Sequence, residues 1–433
     1  MTTPVLVLVT VFVALLVLNV PVAFCMGIAA MLALLSMGNM PAFTAVAHQV
    51  STGIDSFSLL AIPFFILSGL FMGHGGIARR LIDFANVLVG RLRGGLALVN
   101  ILTCMLFGAI SGSATAAVSS VGGFMIPMMN RMGYEKNFNA AVTVTAATTG
   151  LLIPPSNVMI VYSLATGGMV SIAAIFMAGV LPGILVGLGL MAVSIAISIK
   201  NRYGKGQAFT LGEGMRAFFR AIPALLLGAI VLGGILLGFF TATEASAIAV
   251  LYSFILAVFF YKEVKPSQIP GLLLQCGVMT SVVFLLIGTS MAMSWVLAAE
   301  GIPQKISAAI LSVTSSKVTI LLAINAILLA VGTFMDMTPA VLIFTPIFLP
   351  MATSLGVDPV HFGIIMIANL CIGLCTPPVG TCLFLGCSIA QTTVASILPK
   401  CIPFFAAMVV VLLILSYVPW FSLWLPGILG LLK

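Results

Sequence analysis

The sequence predicts an all-α polytopic membrane protein built from two inverted-topology repeats, and three observations carry that expectation. Of 433 residues, 62% are hydrophobic and only 6% charged, with a mean hydropathy of +1.30; a soluble domain with so few charges could not solvate its surface. A long stretch recurs: residues 108–163 and 331–386 align at a shift of 223 without a gap and share ten identities. The ordered spacing is more telling than the count. Pro127-Met128, Gly133 and Gly150-Leu-x-x-Pro154-Pro155 return as Pro350-Met351, Gly356 and Gly373-Leu-x-x-Pro377-Pro378. The third observation is the way Lys and Arg divide between the two sides of a membrane.

Residues 4–36 are too long for one span of about 20 residues, and Pro21 divides them into two short ones. The N-terminus lacks a charged n-region and a cleavage site, which makes Pro4–Leu18 an expected retained span. Residues 41–54 are more polar, and 56–73 form a third span. In Gly75–Gly95, Arg79, Arg80, Asp83, Arg91 and Arg93 alternate with apolar residues, the pattern of a helix lying along the interface. A hairpin at about 94–132 and a broken helix at about 137–167 follow, then a span at 171–199. Residues 1–199 are thus the first repeat. Lys200–Arg220, the least apolar stretch, is the expected linker on the cytoplasmic side. Residues 221–433 mirror the first half: spans near 221–238, 241–261 and 269–297, and an interfacial stretch at 301–317. A hairpin at about 318–354, a broken helix at about 359–391 and a last span near 401–425 complete it.

Charge fixes the sidedness. If both hairpins enter and leave on one side, each half has five crossings, and an odd number inverts the second half relative to the first. With residue 1 outside, fourteen of the seventeen Lys and Arg face the cytoplasm, and only Lys305, Lys317 and Lys433 do not. That asymmetry is the positive-inside pattern. Six crossings per half would lose it. The net charge of +8 is therefore no sign of nucleic-acid binding.

Inverted repeats with helices broken at mid-membrane are the pattern of secondary transporters. A Pro-Pro pair removes two donors and stops the helix, leaving carbonyls that need a partner where lipid offers none. Across from each break lies a tip of small and hydroxyl residues, Ser111-Gly-Ser113-Ala-Thr115 and Thr333 to Thr338. Hydroxyl and carbonyl oxygens around a small cavity suit a hard monovalent cation such as Na⁺. Asp336 occupies in the second tip the place of Ser113 in the first, and a carboxylate inside a membrane marks a functional position. Membrane Ser and Thr usually bond backbone or a neighbouring helix. Recurrence at matched tips and breaks sets Ser111, Ser113, Thr338 and Thr376 apart from that ordinary role. Glu244, in Thr241-Ala-Thr-Glu-Ala-Ser, is read as a helix cap, and His48, His74 and His361 as solvated residues near the membrane surfaces. No CxxC accompanies the eight cysteines, which predicts neither a metal site nor a disulfide framework. No Walker A, GxSxG or HExxH occurs, and the chain is not expected to be an enzyme.

At the following residues the chain resembles the large membrane subunit of tripartite ATP-independent periplasmic (TRAP) transporters: Ser56-Phe-Ser-Leu-Leu-Ala-Ile-Pro-Phe-Phe-Ile-Leu-Ser-Gly, Gly75-Gly-Ile-Ala-Arg-Arg-Leu, Ser111-Gly-Ser-Ala, Ile153-Pro-Pro-Ser, Phe240-Thr-Ala-Thr-Glu-Ala and Thr376-Pro-Pro-Val-Gly. The resemblance covers nearly the whole chain. Ala-Thr-Ala-Ala follows Ser113 where many relatives have Val-Ala-Asp-Thr, so an acidic residue common in the family is absent from the first hairpin. The resemblance implies a bacterial inner-membrane permease that imports an organic acid with Na⁺ as coupling ion. It implies an elevator-type transport domain moving against a scaffold, and no other cofactor. The implied partners are a small four-span membrane subunit and a soluble periplasmic substrate-binding protein. One Na⁺ site is expected at Ser111, Ser113, Gly150 and Pro154, and the other at Gly332, Thr338, Gly373 and Thr376. Substrate is expected at Ser113, Thr115, Asn157, Asp336, Gly380 and Thr381. Gly150-Leu-Leu-Ile-Pro-Pro-Ser-Asn and the run from Asn100 to Ser111 are most similar to sialic-acid members. The alternative is a stand-alone inverted-hairpin carrier for dicarboxylates or Na⁺/H⁺ exchange.

Overall fold

The computed structural model describes residues 3–38, 41–204, 211–313 and 316–432, and within them the chain is helical. The first half begins with α1 (Thr3–Val17) and α2 (Val22–Met37), parted at Pro21 as the sequence predicts. Next come α3 (Ala42–Ile54), α4 (Ala61–His74, led in by a 3₁₀ turn from Phe57) and the amphipathic α5 (Ile77–Val89). The first hairpin is α6 (Gly95–Ser111) and α7 (Ala114–Arg131). α6 stops because Gly112 takes the left-handed conformation, φ 61°, which a glycine adopts without steric cost. The first broken helix is α8 (Lys136–Thr149) and α9 (Asn157–Ala165), with Pro154-Pro155 between them. α10 (Ile172–Lys200) closes this half.

The second half runs α11 (Leu211–Leu236), α12 (Ala242–Phe254), α13 (Ile269–Ala299) and α14 (Ile302–Val313). Its hairpin is α15 (Lys317–Gly332) and α16 (Met337–Ser354), and its broken helix is α17 (Pro359–Gly373) and α18 (Thr381–Ala390). α19 (Val394–Tyr417) and α20 (Trp420–Ile428) end the chain. The order hairpin, half-helix, Pro-Pro, half-helix thus occurs twice, and both Pro-Pro bonds are cis. Among the described residues seven helices are long and apolar enough to cross a membrane, α16 among them. α6 and α15, of 17 and 16 residues, rise only about 24–26 Å against a hydrocarbon core of about 30 Å.

Three expectations change. The linker Lys200–Arg220 is not a loop throughout, because Leu211–Arg220 forms the first turns of α11; residues 205–210 lie outside the described residues. This segment is amphipathic, and its Phe218 ring meets Phe84 of α5 at 5.9 Å. The last span ends at Tyr417, and the residues beyond Pro419 turn into the separate α20. His361 is 2% exposed, buried along with the rest of α17. Glu244 does cap α12, its Oε2 accepting from Thr241 N at 2.8 Å in a capping box.

The two halves interlock. α9 of the first packs against α16 and α17 of the second, and α18 of the second packs against α7 and α8 of the first. Tyr162 on α9 donates to the Pro359 carbonyl at 2.6 Å, and its ring covers Gly363, where a Cβ would overlap it. Each hairpin is also tied to its own broken helix by a buried amide. Asn100 Nδ2 donates to Thr143 Oγ1 at 2.6 Å. Asn369 Nδ2 donates to Asn325 Oδ1 at 3.0 Å, and Asn325 Nδ2 to Ser416 Oγ at 2.8 Å. Such bonds are contributed between membrane helices where an unpaired amide is costly.

A second group of helices, α1–α4 and α11–α13, packs beside this interlocked body, with α4 and α13 touching it. The connecting segments gather at two ends. At one, Arg80 pairs with Glu263 at 3.7 Å, Lys400 with Glu135 at 2.8 Å, and the Tyr134 and Tyr203 rings stack at 4.4 Å. At the other, Lys317 Nζ donates to the Gly356 carbonyl at 3.1 Å and Tyr417 to Val318 O at 3.0 Å.

Candidate functional site

The tips and the breaks meet. A Cβ placed on Gly108, near the end of α6, would lie 2.7 Å from the Gly150 Cα, and one on Gly373 would lie 2.6 Å from the Gly332 Cα. Each hairpin therefore touches its own broken helix backbone to backbone, an approach that only small residues allow. In the second unit a hydrogen bond adds to it, Val379 N donating to Thr333 O at 3.1 Å. The residue that starts each second hairpin helix is its cap. Ser113 Oγ accepts from Ala116 N at 3.2 Å, and Asp336 Oδ1 accepts from Met337 N at 3.0 Å. The helix dipole favours a carboxylate at such a position, which gives Asp336 a local stabilising partner in addition to any role toward a ligand.

Ser113, Thr115, Asn157, Asp336, Thr338 and Thr381 line one cavity of about 380 Å³. All six were expected from the sequence at an ion or substrate site. Thr338 faces the same space as the substrate candidates, so the two sets are not separate here. Asn157 is held at the start of α9 with its Oδ1 buried and unpaired, and its Nδ2 lies against Gly112. Asp336 is exposed toward the cavity.

Other candidates stand behind the wall. Ser111 borders the adjoining space, its hydroxyl 3.4 Å from the Ser113 carbonyl. Gly150, Gly332 and Gly373 form the crossings just described. Pro154 is buried in the first break. The Thr376 hydroxyl bonds back to Ile372 O at 2.7 Å, leaving its oxygen lone pairs in the second break. Gly380 does not line the cavity; it is the backbone position before α18, where a Cβ would press on the Thr376 carbonyl at 2.8 Å.

The rest of the wall was missed. Ile62 and Ile66 of α4 and Val278, Met279, Val282 and Val283 of α13 close the cavity from the second helix group. An apolar residue in an apolar span carries no sign of what it faces. No Lys or Arg is among the lining residues, and no cluster of His, Cys, Asp and Glu suited to a transition metal occurs among the described residues. Hydroxyls, an amide and one carboxylate therefore set the chemistry of this space. Such oxygens fit a hard cation, and the hydroxyl and amide donors fit an anion.

Comparison with known proteins places this architecture. A relative from Salmonella typhimurium, "Uncharacterized protein YgiK", is 50% identical over 98% of this chain and 97% of its own. The "C4-dicarboxylate TRAP transporter large permease protein DctM" of Pseudomonas aeruginosa is 44% identical over 87% of this chain and 88% of its own. The "Sialic acid TRAP transporter large permease protein SiaM" of Vibrio cholerae is 34% identical over 94% and 95%. Among solved structures, the YdaH transporter of Alcanivorax borkumensis superimposes with a TM-score of 0.66 at 14% identity, covering 89% of each chain; that likeness speaks to the fold alone. Residues 9–421 match the family described as "Tripartite ATP-independent periplasmic transporter, DctM component". The Pseudomonas and Vibrio relatives are named as permeases rather than enzymes, and the chain is a multi-pass protein of the inner membrane that belongs to the DctM family of TRAP large permeases.

Proposed function

We propose that this chain is the translocating subunit of a Na⁺-coupled importer of a small organic acid, and that the 380 Å³ cavity is where acid and ion meet. The observation that carries this reading is the wall of that cavity. It offers hydroxyls, an amide and Asp336, and no basic side chain. An acid bound beside Asp336 would bring two negative charges together in a medium of low dielectric, which is costly without a counter-charge. Na⁺ held by Ser113, Thr338 and the carbonyls of the two breaks supplies it. Alternating access follows as movement of the interlocked hairpin body against α4 and α13, in the manner of an elevator.

The proposed partners are a small four-span membrane subunit and a periplasmic binding protein that delivers the acid. The two local stretches, Gly150–Asn157 and Asn100–Ser111, favour sialic acid. The higher identity to the relative named for C4-dicarboxylates, 44% against 34%, favours a C4-dicarboxylate, and we place it first. The chain alone in liposomes is expected to take up neither acid, even with a Na⁺ gradient. Adding both partners should give uptake of labelled succinate that unlabelled sialic acid fails to compete. Robust transport by the isolated chain would support the stand-alone carrier, and competition by sialic acid would reverse the choice of substrate.

Sidedness is tested separately. The proposed inverted repeats put residue 1 outside and the Arg-rich end in the cytoplasm. Asn201, exposed after α10, replaced by Cys, should react with an impermeant thiol reagent only in inside-out vesicles. Rapid labelling from the periplasm contradicts the inversion.

A further inference from the structure

The duplication supplies an internal control, because a difference between the two copies marks what one copy does and the other does not. On α7 the face turned away from α8 and α18 carries Thr115, Ser119 and Ser120. On α16 the equivalent positions are Thr338, Leu342 and Ile343. The hydroxyl at the tip is kept in both copies, while the two beyond it are polar only in the first. Helical spacing puts Ser119 four residues after Thr115 on the same face. In α16 that face is apolar beyond the tip.

Those hydroxyls border a second cavity of about 460 Å³ between α7 and the ends of α4 and α13, where His74 and Gln275 join Ser119 and Ser120. This space shares Ile66, Ser113, Thr115, Asn157 and Met279 with the central cavity, so the two adjoin. A third and larger space of about 730 Å³ lies at the opposite end, with Leu342 in its wall, and shares no lining residue with the central cavity. Of these two spaces, the one along α7 is the neighbour of the centre. It ends at His74, immediately before the Arg-bearing α5.

The polar groups on this path suit an anion. The Gln275 amide and the Ser hydroxyls are donors. His74 Nδ1 sits 3.0 Å from the Leu70 carbonyl, which only accepts, so Nδ1 carries the proton. In the neutral ring Nε2 then only accepts, so the donors toward an anion here are Gln275 and the Ser hydroxyls, and His74 marks the end of the space. No acidic residue lines this space, in contrast to the centre with Asp336.

We propose that Ser119, Ser120 and Gln275 form a second, transient binding stage for the carboxylate of the transported acid, on its way from the central cavity past His74 to the Arg-rich side. The stage rests on the functional reading above and adds to it a release path with its own residues. It is one-sided: an acid leaving meets it, while an acid arriving from the other face reaches Asp336 and Ser113 first.

The test uses the complete three-component transporter in proteoliposomes. For Ser120→Ala combined with Gln275→Leu, the expected result is a three- to tenfold rise in the internal succinate concentration for half-maximal efflux, with the external concentration for half-maximal uptake changed less than twofold. Thiol access gives a second readout that does not depend on transport. All eight native cysteines are buried, so Ser120→Cys should react with a charged thiol reagent applied from the Arg-rich side and stay silent from the other. Equal shifts in both directions, no shift in either, or a silent Ser120→Cys from the Arg-rich side each overturns the stage while leaving the functional reading intact. A wild-type complex that moves no organic acid refutes the functional reading, and the stage with it.

Discussion

Gly373→Val is expected to abolish transport and to remove most of the folded protein from the membrane, and Gly150→Val to do the same in the first repeat. A Cβ on Gly373 would lie 2.5 Å from the Gly332 carbonyl carbon and 2.6 Å from its Cα and oxygen. A Cβ on Gly108 would meet the Gly150 Cα at 2.7 Å, which shows the same crossing from the other side. Backbone cannot rotate away as a side-chain tip can. Overpacking in a well-packed interior costs about 1–3 kcal/mol, and backbone against backbone places these variants at or beyond the upper end. Because the crossings also hold the tips against the breaks, variants that do fold should have lost the site geometry. Gly228→Ala, on α11 with nothing within 4 Å of a new Cβ, is the matched control and should behave as wild type. Detergent-solubilised yield by fluorescence-detected size exclusion, followed by uptake, measures both effects. Normal yield and transport for Gly373→Val would mean that the crossing is not as close as described.

Ser113→Ala and Thr338→Ala are expected to fold normally and to need far more Na⁺. Each removes one hydroxyl from the central cavity. A lost contact to a buried polar or charged partner costs about 1–3 kcal/mol, or roughly fivefold to 150-fold in affinity. The Na⁺ concentration for half-maximal uptake should rise accordingly, and high Na⁺ should restore the rate. Ser113 is also the cap of α7, worth about 1 kcal/mol of helix stability, so its variant should additionally lose a few degrees of thermal stability. Thr338 caps nothing and isolates the ion effect. Both variants with an unchanged Na⁺ dependence would displace the proposed ion sites.

Much of this was legible in the sequence because of the duplication. Pro154-Pro155 and Pro377-Pro378 mark broken helices by simple backbone chemistry, and repetition of their context turned two local signals into an architecture. Ser113 and Asp336 were found the same way, as equivalents at the two tips. What escaped depends on contacts between segments far apart in sequence. Nothing in the residues of α9 announces that Tyr162 will cover Gly363, or that α18 will dock on α7. The apolar wall from α4 and α13 is hidden for the same reason. Charge in an apolar chain suggests a loop over the polar stretch Leu211–Arg220; its apolar face, with Phe218 against Phe84, belongs to a helix. His361 illustrates the reverse error. Its place near a membrane surface suggests solvent, but the interlocked half-helices bury it.

Coupling is the centre of the account, and one measurement reaches it directly: uptake of labelled succinate by the complete three-component system in proteoliposomes, without ATP, under an inward Na⁺ gradient. The expected result is accumulation above the external concentration that collapses when a Na⁺ ionophore removes the gradient and is absent when K⁺ replaces Na⁺. Accumulation that persists in K⁺, or survives the ionophore, contradicts the assignment of Na⁺ to the cavity between the two tips.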